Sequence, residues 1–584
     1  MEGKTLDVAE CMNVENNKIA EENRQRLKAI IETIVLCEKQ EIALRGSRDS
    51  GEIGIDDPEH NDGNFRALLR FRARSGDGAL KNHLLTQNIH SRAMYTSSVI
   101  QNEVIEICGS AIPHVLNRVK EAGFLTVLAD ETQDISRHEQ LALCLRYVHC
   151  SSGKSMIRED FLEFVPVEDV SAESLSLATT IVTHLLSYNL DMDKFIGQGY
   201  DGAAVMSGRL RGVRTIIAEQ YPRAQFVHCV AHVLNLVLAH SCEIPMIRNC
   251  IGTIKSVINF FRQSPLRNGL LKKIADQSFN AYFSLRDTVD RETRGCRKIA
   301  EMVPIVRETL VALQGSDTND VATQAYHLLT AMENSQFIVS LVILRKVFSY
   351  TMNLNKAMQK VNVDLINICG YAKTVKTTLL NIRNESQFEI LFKQAQQMSS
   401  SDIVVPRMTG RQTQRSNIPA ETAEIYYRRN VFYPFIDHVT TEIDAHFKPH
   451  ESTIEGIQML LPEKTSNDSR IKENLTKIAQ TFLGGENEGF LSEYEIWHNH
   501  WKSFFPSIKK LLIILATLPE STATPERSFS TLKRLKTYLR NKMGDERLTG
   551  LALMSIHRDL AVKLDCEEII NKLAIKRKRL NLIL

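Results

Sequence analysis

Residues 124–148, FLTVLADETQDISRHEQLALCLRYV, contain two patterns that together indicate the fold. The first seven residues form an apolar run that is too short for a helix, is rich in strand-forming residues and ends in Asp130. In QLALCLRYVHC (140–150), every second residue from Leu141 to Tyr147 lies on one face of an extended chain. This stretch therefore predicts two consecutive strands of one sheet.

The segments that follow continue the sheet and then alternate between helix and strand. MIREDFLEFVPV (156–167) predicts a third strand, and the apolar spacing in SAESLSLATTIVTHLLSYNL (171–190) predicts a helix. KFIGQGYDGAAVMSG (194–208) predicts a strand that runs into a glycine-rich turn. The next three segments predict a helix, a strand and a helix, and they are VRTIIAEQY (213–221), AQFVHC (224–229) and VAHVLNLVLAH (230–240). The order β-β-β-α-β-α-β-α predicts a mixed α/β sheet.

Helical patterns surround and follow this sheet. Residues 1–50 are polar and helix-prone, with few apolar positions to anchor them, and SRDSGEIGIDDPEHNDGN (47–64) is typical of a turn-rich linker. A short amphipathic helix is predicted to begin near Phe65. Strand patterns nearly vanish from about residue 262 to residue 505, which predicts a large helical region.

Composition excludes several classes of protein. The chain has 584 residues, of which 43% are hydrophobic and 24% charged, and these values are close to globular averages. The net charge of +3 means that any contact with nucleic acid has to come from local basic patches. Because the sequence has no apolar run of about 18 residues and no signal-peptide core, we expect neither a membrane span nor secretion. Eleven cysteines without a CxxC pair indicate reduced thiols in the cytosol or nucleus.

Three acidic residues stand at comparable places in the predicted elements. Asp130 ends the first strand, Asp201 ends the fourth, and Glu526 lies in the first turn of a helix that Thr524 is expected to cap. Ligands gather at the carboxyl ends of strands in open α/β sheets. Three carboxylates converging there would bind two Mg²⁺ or Mn²⁺ ions about 3.5–4 Å apart, as suits in-line phosphodiester cleavage. Taken singly, however, Asp130 could be a turn residue and Glu526 a helix-dipole partner.

A cysteine and a histidine share one face of the helix predicted after the fifth strand. Cys229 and His232 are three positions apart, as two metal ligands on a helix would be. A closed zinc site needs four Cys or His ligands, usually as two close pairs, and no second pair follows: Cys242 and Cys250 are eight positions apart. Metal ligation and burial by packing are both compatible with the pattern, and the sequence favours packing.

Four separated blocks resemble the hAT superfamily of DNA transposases. These blocks are FLTVLADETQDISRHEQLALCLRYV (124–148), FIGQGYDGAAVMSG (195–208), FVHCVAHVLNLVL (226–238) and TPERSFSTLKRLKTYLRNKM (524–543). Two earlier segments, GNFRALLRFRA (63–73) and YTSSVIQNEVIEICGSAI (95–112), resemble the region before the catalytic core in an animal branch of this superfamily. The order of the blocks along the chain makes the resemblance more specific than any single block.

The resemblance implies an α/β fold class, with an RNase H-like mixed sheet interrupted by a large all-helical insertion and preceded by a helical N-terminal region. It places Asp130, Asp201 and Glu526 at the positions of the family's catalytic and metal-binding acids, with Mg²⁺ or Mn²⁺ as the cofactor of an active enzyme. It places Cys229 and His232 in the family's structural CxxH motif beside the active site, so we expect no zinc finger there.

We expect six regions along the chain. They are a polar helical or linker N-terminus (1–60), a helical region before the core (61–120), the first part of the RNase H-like core (121–262), the helical insertion (263–505), the closing helices with the hAT dimerisation region (506–560) and a basic tail (561–584). The tail contains KRKR at 576–579, which is a weak pattern for nuclear localisation, and we expect a nuclear protein.

The C-terminal block predicts two contact surfaces. Its apolar stripe from Phe529 to Leu539 is compatible with packing inside the chain or with a dimer interface, and the resemblance favours a homodimer through the C-terminal helices. The residues expected at that interface are Leu548, Leu551, Met554 and Ile556. The cations expected to contact DNA, if they do not simply face solvent, are Arg527, Lys533, Arg534, Lys536 and Arg540. We expect a homodimer and DNA as partners, with no membrane and no small-molecule cofactor.

The sequence departs from the family pattern in two places. In DRETRGCRK (290–298), Gly295 stands where the resemblance implies a tryptophan that stacks on DNA bases, and the chain's two tryptophans, Trp497 and Trp501, are predicted to be packing residues. The N-terminus lacks the zinc-binding finger usual in the family. Two functions therefore stay open: a metal-dependent enzyme that cleaves and transfers DNA strands, and a domesticated nuclear protein that dimerises and associates with DNA or transcription factors without catalysis.

Overall fold

The computed structural model divides the chain into two compact units, residues 1–227 with 509–584 and residues 228–508, which are described separately. The residues that the structure describes are 8–46, 48–85, 94–109, 112–151, 154–167, 174–201, 204–208, 211–226, 244–277, 292–315, 319–358, 365–406, 420–444, 460–461, 469–483, 489–499, 505–519, 522–537, 540 and 543–576.

The first unit is built on one five-stranded mixed sheet, which confirms the predicted α/β class. Its strands are β1 (Leu125–Gln133), β2 (Glu139–Ser151), β3 (Lys154–Pro166), β4 (Phe195–Gly199) and β5 (Gln225–Phe226). Their order across the sheet is β3-β2-β1-β4-β5. The first three strands are antiparallel, whereas β4 runs parallel to β1 and β5 runs parallel to β4. The three consecutive strands and the two later ones are therefore arranged as the hydrophobic patterns predicted.

Helices of the first unit come from both ends of the chain. Those before and within the sheet region are α1 (Val8–Lys39), α2 (Asn64–Arg74), α3 (Gly78–Leu85), α4 (Ser98–Gly109), α5 (Ile112–Glu121), α6 (Ser174–Ser187), a short 3₁₀ turn (Met192–Lys194), α7 (Ala204–Ser207) and α8 (Val213–Gln220). To keep chain order, the helices of the second unit are numbered α9 to α18. The closing helices are α19 (Pro506–Thr517), α20 (Ala523–Leu535), α21 (Asp545–Ile556), α22 (Arg558–Ala561) and α23 (Cys566–Lys576).

The two faces of the sheet pack against different sets of helices. Val127, Leu143 and Leu162 belong to a core that also contains apolar residues of α5, α6 and α8. Leu128 and Cys144 point to the opposite face, since side chains alternate along a strand, and they share a core with α1, α4, α20, α21 and α23. The second face of the sheet is thus covered by the first and last helices of the chain.

The N-terminal region is a structural helix of this core. The prediction that residues 1–50 have few anchoring apolar positions is wrong, because Leu27, Ile30 and Ile34 of α1 are fully buried. α1 packs against α2, α4, α21 and α23. The anchoring residues are spaced along a 32-residue helix, so they are sparse in the sequence but lie on one face of α1.

The second unit consists of helices, as predicted for the insertion. They are α9 (Pro245–Arg262), α10 (Pro265–Gln277), α11 (Glu292–Gln314), α12 (Asn319–Glu333), α13 (Ser335–Met358), α14 (Leu365–Asn381), α15 (Glu385–Met398), α16 (Ala423–Tyr427, continued by a π-helical turn at Arg428–Phe432), α17 (Ser469–Leu483) and α18 (Phe490–Asn499). α13 packs against α9, α11, α14 and α15. The unit begins at His228, before the boundary expected at 263, because α9 shares its buried apolar face with these helices.

The described helices differ in how closely they approach the length and apolarity that a membrane span requires. No single one of them meets both requirements. One bent pair, Asn319–Glu333 with Ser335–Thr351, meets them by length and composition.

Candidate functional site

Asp130 and Asp201 are brought side by side by the register of two parallel strands. Leu128 of β1 pairs with Gly199 at the end of β4, so the residues two positions further along each chain, Asp130 and Asp201, lie at the same edge of the sheet. Neighbouring strands are about 4.8 Å apart, which puts the two aspartates within reach of each other. Both side chains are half-buried. Asp201 follows β4 as predicted, whereas Asp130 lies inside β1, which continues to Gln133, and pairs with Ala142 of β2.

Glu526 reaches the same region from the closing helix α20. Asp130 points to the same face of the sheet as Leu128, and that face is covered by Phe529 and Leu532 of α20. Glu526 lies in the first turn of α20 and is half-buried. Burial, together with the negative charges of Asp201 and Glu526, raises the pKa of Asp130 to about 8. The three predicted acids thus lie close enough to repel one another.

Glu131 adds a fourth carboxylate that the sequence analysis did not select. Burial is the main cause that raises the pKa of Glu131 to about 7, and the charges of Asp201 and Glu139 add to it. Its backbone N–H donates a hydrogen bond of 3.0 Å to the Asp130 carboxylate. The signal was present in the sequence, because Glu131 follows Asp130 directly where the apolar run ends.

The chemistry of this cluster suits a hard divalent cation, although its side chains are not arranged as a finished metal site. Carboxylate oxygens are the ligands that Mg²⁺ and Mn²⁺ prefer, and a cation would relieve the repulsion that raises the pKa of Asp130. Among the described residues, no three His, Cys, Asp or Glu side chains lie close enough to hold one ion as they stand. Binding would therefore require rotation of the side chains of Asp130, Asp201 and Glu526 towards one another.

A buried ion pair fixes the start of α20 on the sheet. Arg146 of β2 is 1% exposed, and its guanidinium donates to Glu159 of β3 at 2.8 Å and to the backbone carbonyl of Ala516 at 3.1 Å. The hydroxyl of Thr524 donates to the other oxygen of Glu159. Thr524 therefore binds the sheet, and Thr522 is the residue that precedes the helix, so the predicted cap at Thr524 is wrong. The contacts of this ion pair thus join β2, β3, α19 and α20. Thr524, which binds Glu159, is two residues before Glu526.

Two glycines of β4 let the chain before α20 lie directly on the sheet. A Cβ atom on Gly199 would come within 2.9 Å of the Pro519 ring, and one on Gly197 within 3.1 Å. These distances leave no room for a side chain, so the FIGQG strand needs glycine at both positions. Asp201 follows two residues after the end of this strand, which means that the glycines place the closing segment beside the candidate site.

Comparison with known proteins finds a family model at each of the two parts of this site. Residues 2–212 match the model of the ZMYM1/FAM200 RNase-like domain, and residues 487–560 match the model of the hAT family C-terminal dimerisation region. The chain therefore carries an RNase-like domain and a hAT-type dimerisation region. The first match contains Asp130 and Asp201, and the second contains Glu526. The predicted RNase H-like fold and the predicted relationship are thereby confirmed.

Curated relatives extend the similarity of this hAT-related chain over most of its length. The human protein named "52 kDa repressor of the inhibitor of the protein kinase" is 28% identical over 587 residues, which cover 93% of this chain and 75% of the relative. The mouse protein of the same name is 27% identical and covers 93% of this chain and 76% of the relative.

Other residues of the hAT pattern fall partly outside the described structure. Cys229 and His232 lie in the segment 227–243, which is not among the described residues. Trp501 lies in the segment 500–504, which is not among them either. Gly295 lies in α11, the helix Glu292–Gln314. The indole of Trp497 donates to the backbone carbonyl of Leu460 at 2.7 Å and packs edge-on against Phe505, which confirms the predicted packing role.

The cations of the hAT-type C-terminal block have different environments. Lys536 is 5% exposed, and its ammonium lies 2.7 Å from the fully buried carboxylate of Asp134. A phosphate contact for Lys536 is therefore contradicted, because its charge is already used inside the fold. Arg534 is exposed and pairs with Glu41, and Arg540 is half-buried near the backbone carbonyl of Glu41. Arg527 and Lys533 are exposed.

The four residues predicted at the dimer interface lie inside the first unit. Leu548, Leu551 and Met554 are at most 2% exposed, and Ile556 is partly buried against the same core. α21 packs against α4, β3 and α20, with the backbone of its Gly550 in close contact with Gly109 of α4. The prediction that this stripe is left exposed is wrong, since helices from the N-terminal part of the chain cover it.

Proposed function

We propose that the cluster of Asp130, Asp201 and Glu526 binds divalent metal ions and that the chain cleaves and transfers DNA strands at this site. The observation that supports this proposal is the pairing of Leu128 with Gly199, which sets Asp130 and Asp201 at the same edge of the sheet. Glu526 lies near enough for its charge to contribute to the raised pKa of Asp130. Folding cores rarely retain mutually repelling carboxylates at the carboxyl ends of strands unless a ligand compensates them. The match to the hAT family supports the same assignment.

Each carboxylate would have a defined part in that chemistry. Bound Mg²⁺ or Mn²⁺ would polarise the attacking oxygen and the leaving 3′ oxygen of a phosphodiester. Asp130 and Asp201 would hold the ions from the rigid sheet, and Glu526 would close the site from α20. The ion pair of Arg146 and Glu159 would keep α20 in place while Glu526 rotates inwards.

The test is nicking of DNA that carries the terminal repeats flanking the chain's own locus. We expect cleavage that requires Mn²⁺ or Mg²⁺ and is lost by at least two orders of magnitude in Asp130→Asn, Asp201→Asn and Glu526→Gln. Glu121→Gln removes an exposed carboxylate at the end of α5 and serves as the matched control. As a readout besides cleavage, Mn²⁺ should raise the melting temperature of the wild type and of the control but not of Asp130→Asn.

A second function is favoured by two observations. Gly295 replaces the expected base-stacking tryptophan, and as they stand no three candidate ligands among the described residues could share one ion. In this alternative the chain is a domesticated nuclear protein that associates with DNA or transcription factors without turnover, and the relatives that carry the word "repressor" in their name support it. Binding of the repeat DNA without Mn²⁺-dependent nicking and without Mn²⁺-dependent stabilisation would select this function.

Assembly, location and DNA contact complete the proposal. The matched C-terminal dimerisation region supports a homodimer, for which light scattering of the intact chain at micromolar concentration should give twice the 66.3 kDa mass. The interface would use surfaces other than the buried stripe of α21.

Arg527, Lys533 and Arg534 are the predicted cations that stay exposed and would contact DNA phosphates. The family and the basic tail support a nuclear location.

A further inference from the structure

A large open cavity lies in the first unit on the side where the N-terminal and closing helices meet. Its volume is about 1260 Å³. One wall is formed by residues 41–46 after α1, with Asn61 and Asn64 before and at the start of α2, and another by Asn102 and Glu106 of α4. The remaining wall is formed by Arg534, Thr537, Arg540 and residues 543–547, at the end of α20, after it and at the start of α21. None of the three candidate acids lines it.

Four arginines line this cavity, of which Arg534 is paired with Glu41; the other three are Arg45, Arg540 and Arg547. Arg540 and Arg547 are half-buried, and among the described residues no carboxylate lies within ion-pair distance of either one. Arg547 donates to the side-chain oxygen of Asn102. Burial and the nearby charge of Arg45 lower the pKa of Arg547 to about 10. Arg45 is exposed and lies 4.0 Å from Asp49, whereas Arg540 and Arg547 hold positive charge that is partly desolvated and has no ion-pair partner among the described residues. Such charge is costly unless an anion compensates it.

The acids around the cavity do not supply that compensation. Glu41 is bound by Arg534 and by the hydroxyl of Ser555, and Glu106 lies 2.6 Å from the ammonium of Lys576. Glu38, which lies close enough for its charge to act on Arg540 and Arg547, is 1% exposed, and neither of its carboxyl oxygens has a hydrogen-bond partner. Burial raises the pKa of Glu38 well above its usual range, which disfavours its ionised form. Asp545 and Glu546 are exposed at the mouth of the cavity.

The wall that carries Arg45 is fixed by a close contact between two glycines. A Cβ atom on Gly46 would collide with the backbone of Gly63, and Gly63 has a φ of +99°, which an L side chain rarely adopts. The backbone N–H of Phe65 donates to the carbonyl of Leu44 at 3.0 Å, and the side-chain amide of Asn64 donates to the carbonyl of Ala43 at 2.8 Å. Residues 43–46 are thus fixed on the start of α2, which fixes the backbone of Arg45 at the wall of the cavity.

We propose that this cavity binds a phosphate group, held by Arg45, Arg540 and Arg547. Guanidinium groups bind phosphate oxygens in pairs of parallel hydrogen bonds, and three of them around one cavity match the charge of a terminal phosphate better than that of a single carboxylate. The volume admits a nucleotide or the phosphorylated end of a nucleic-acid strand, and both present the same chemical group. This site goes beyond the proposed cleavage function, and its occupation requires none of the three acids.

The test measures binding to the full chain by calorimetry and by the shift of its melting temperature. The probes are inorganic pyrophosphate, AMP, and a short oligonucleotide with either a 5′-phosphate or a 5′-hydroxyl. We expect pyrophosphate to bind the wild type and to bind Arg540→Gln and Arg547→Gln at least tenfold more weakly. Lys393→Gln removes an exposed cation of α15 with the same change in net charge and should bind like the wild type. Preference for AMP or for the 5′-phosphorylated strand over its 5′-hydroxyl form identifies the source of the phosphate, and either preference supports the site.

The variants also separate binding from folding. Because Arg547 is half-buried and has no carboxylate partner within ion-pair distance among the described residues, Arg547→Gln should leave the melting temperature without ligand equal to or above that of the wild type. Arg45→Gln, which changes a more exposed residue, should weaken binding without loss of structure. The proposal is overturned if pyrophosphate does not bind the wild type. It is also overturned if Lys393→Gln weakens binding as much as Arg540→Gln, since the effect would then be one of overall charge.

Discussion

Asp130 occupies a position where the folded chain disfavours its ionised form. Its pKa is raised from 3.8 to about 8, so the folded state binds a proton there more tightly than the unfolded state does. Stability contributed by this proton is fully present below about pH 4 and is lost as the pH rises towards 8. A site of this kind costs stability in the absence of a ligand, as is common where charged groups serve a function.

Asp130→Asn should therefore stabilise the chain. We expect a gain on the order of 1 kcal/mol at pH 8 after allowance for solvent screening, and a smaller gain at pH 5, where the wild-type carboxyl is already protonated. Urea unfolding of both proteins at pH 5, 6.5 and 8 measures the difference. Glu121→Gln should show no such dependence on pH, and a wild type that is as stable at pH 8 as Asp130→Asn would show that the three acids do not repel one another in solution.

Individual residues differ in how far their roles could be predicted from the sequence. Asp130 and Asp201 could be predicted because each follows the apolar stretch of a strand pattern, although β1 continues beyond Asp130 to Gln133. Lys536 was misassigned because its partner Asp134 lies 402 positions earlier, and nothing in a run of cations reveals that one of them turns inwards. Glu131 was missed although it is adjacent to Asp130, since an acid after an apolar run is ordinary until its neighbours are known.

At the scale of elements, α21 illustrates what an amphipathic pattern leaves undecided. Its apolar stripe requires a partner, but the stripe is the same whether that partner is a second chain or another part of the same chain. Here the partners are α4 and α1, from the opposite end of the sequence. The strands were easier to predict, because the alternation of residues 140–150 and the short apolar run at 124–130 both indicate strands. The alternation did not reveal that β2 is buried on both faces.

Leu551→Asp should consequently unfold the first unit rather than release soluble monomers. Leu551 is 2% exposed, so a carboxylate in its place would be buried without a partner and should cost about 3–5 kcal/mol or more. Circular dichroism melts and solubility measure the effect. Val562→Asp, at a position that is 70% exposed, is the matched control and should fold normally. A Leu551→Asp protein that is folded and monomeric would restore the dimer interface to α21.

The whole molecule is organised around a sheet unit that the chain leaves and later completes. Residues 1–227 supply all five strands, and residues 509–584 supply α20, α21 and α23, which cover one face of the sheet. Sequence reasoning could foresee the interruption from the loss of strand patterns. It could not foresee that α1 joins the closing helices, because the contacts between Arg24 and Glu567, for example, span 543 positions.

Two fragments should therefore depend on each other. We expect residues 1–227 expressed alone to be insoluble, because Leu128, Phe161 and Phe164 would lose their cover of closing helices. Co-expression with residues 509–584 should recover a soluble complex that purifies as a one-to-one pair. Soluble, cooperatively unfolding 1–227 without its complement would show that the closing helices are dispensable for the sheet.

Because residues 509–584 complete the first unit, this unit stays incomplete during much of the synthesis of the chain. After β5 leaves the ribosome, 281 residues of the helical unit, 228–508, are translated before α20 can be made. At roughly 5–20 residues per second this interval lasts about 15–60 s, which is long compared with the collapse of a nascent domain. Throughout it the apolar face that α20 and α21 will cover is open to the cytosol. The nascent chain is thus expected to be a client of ribosome-associated chaperones, with its greatest exposure during translation of the helical unit.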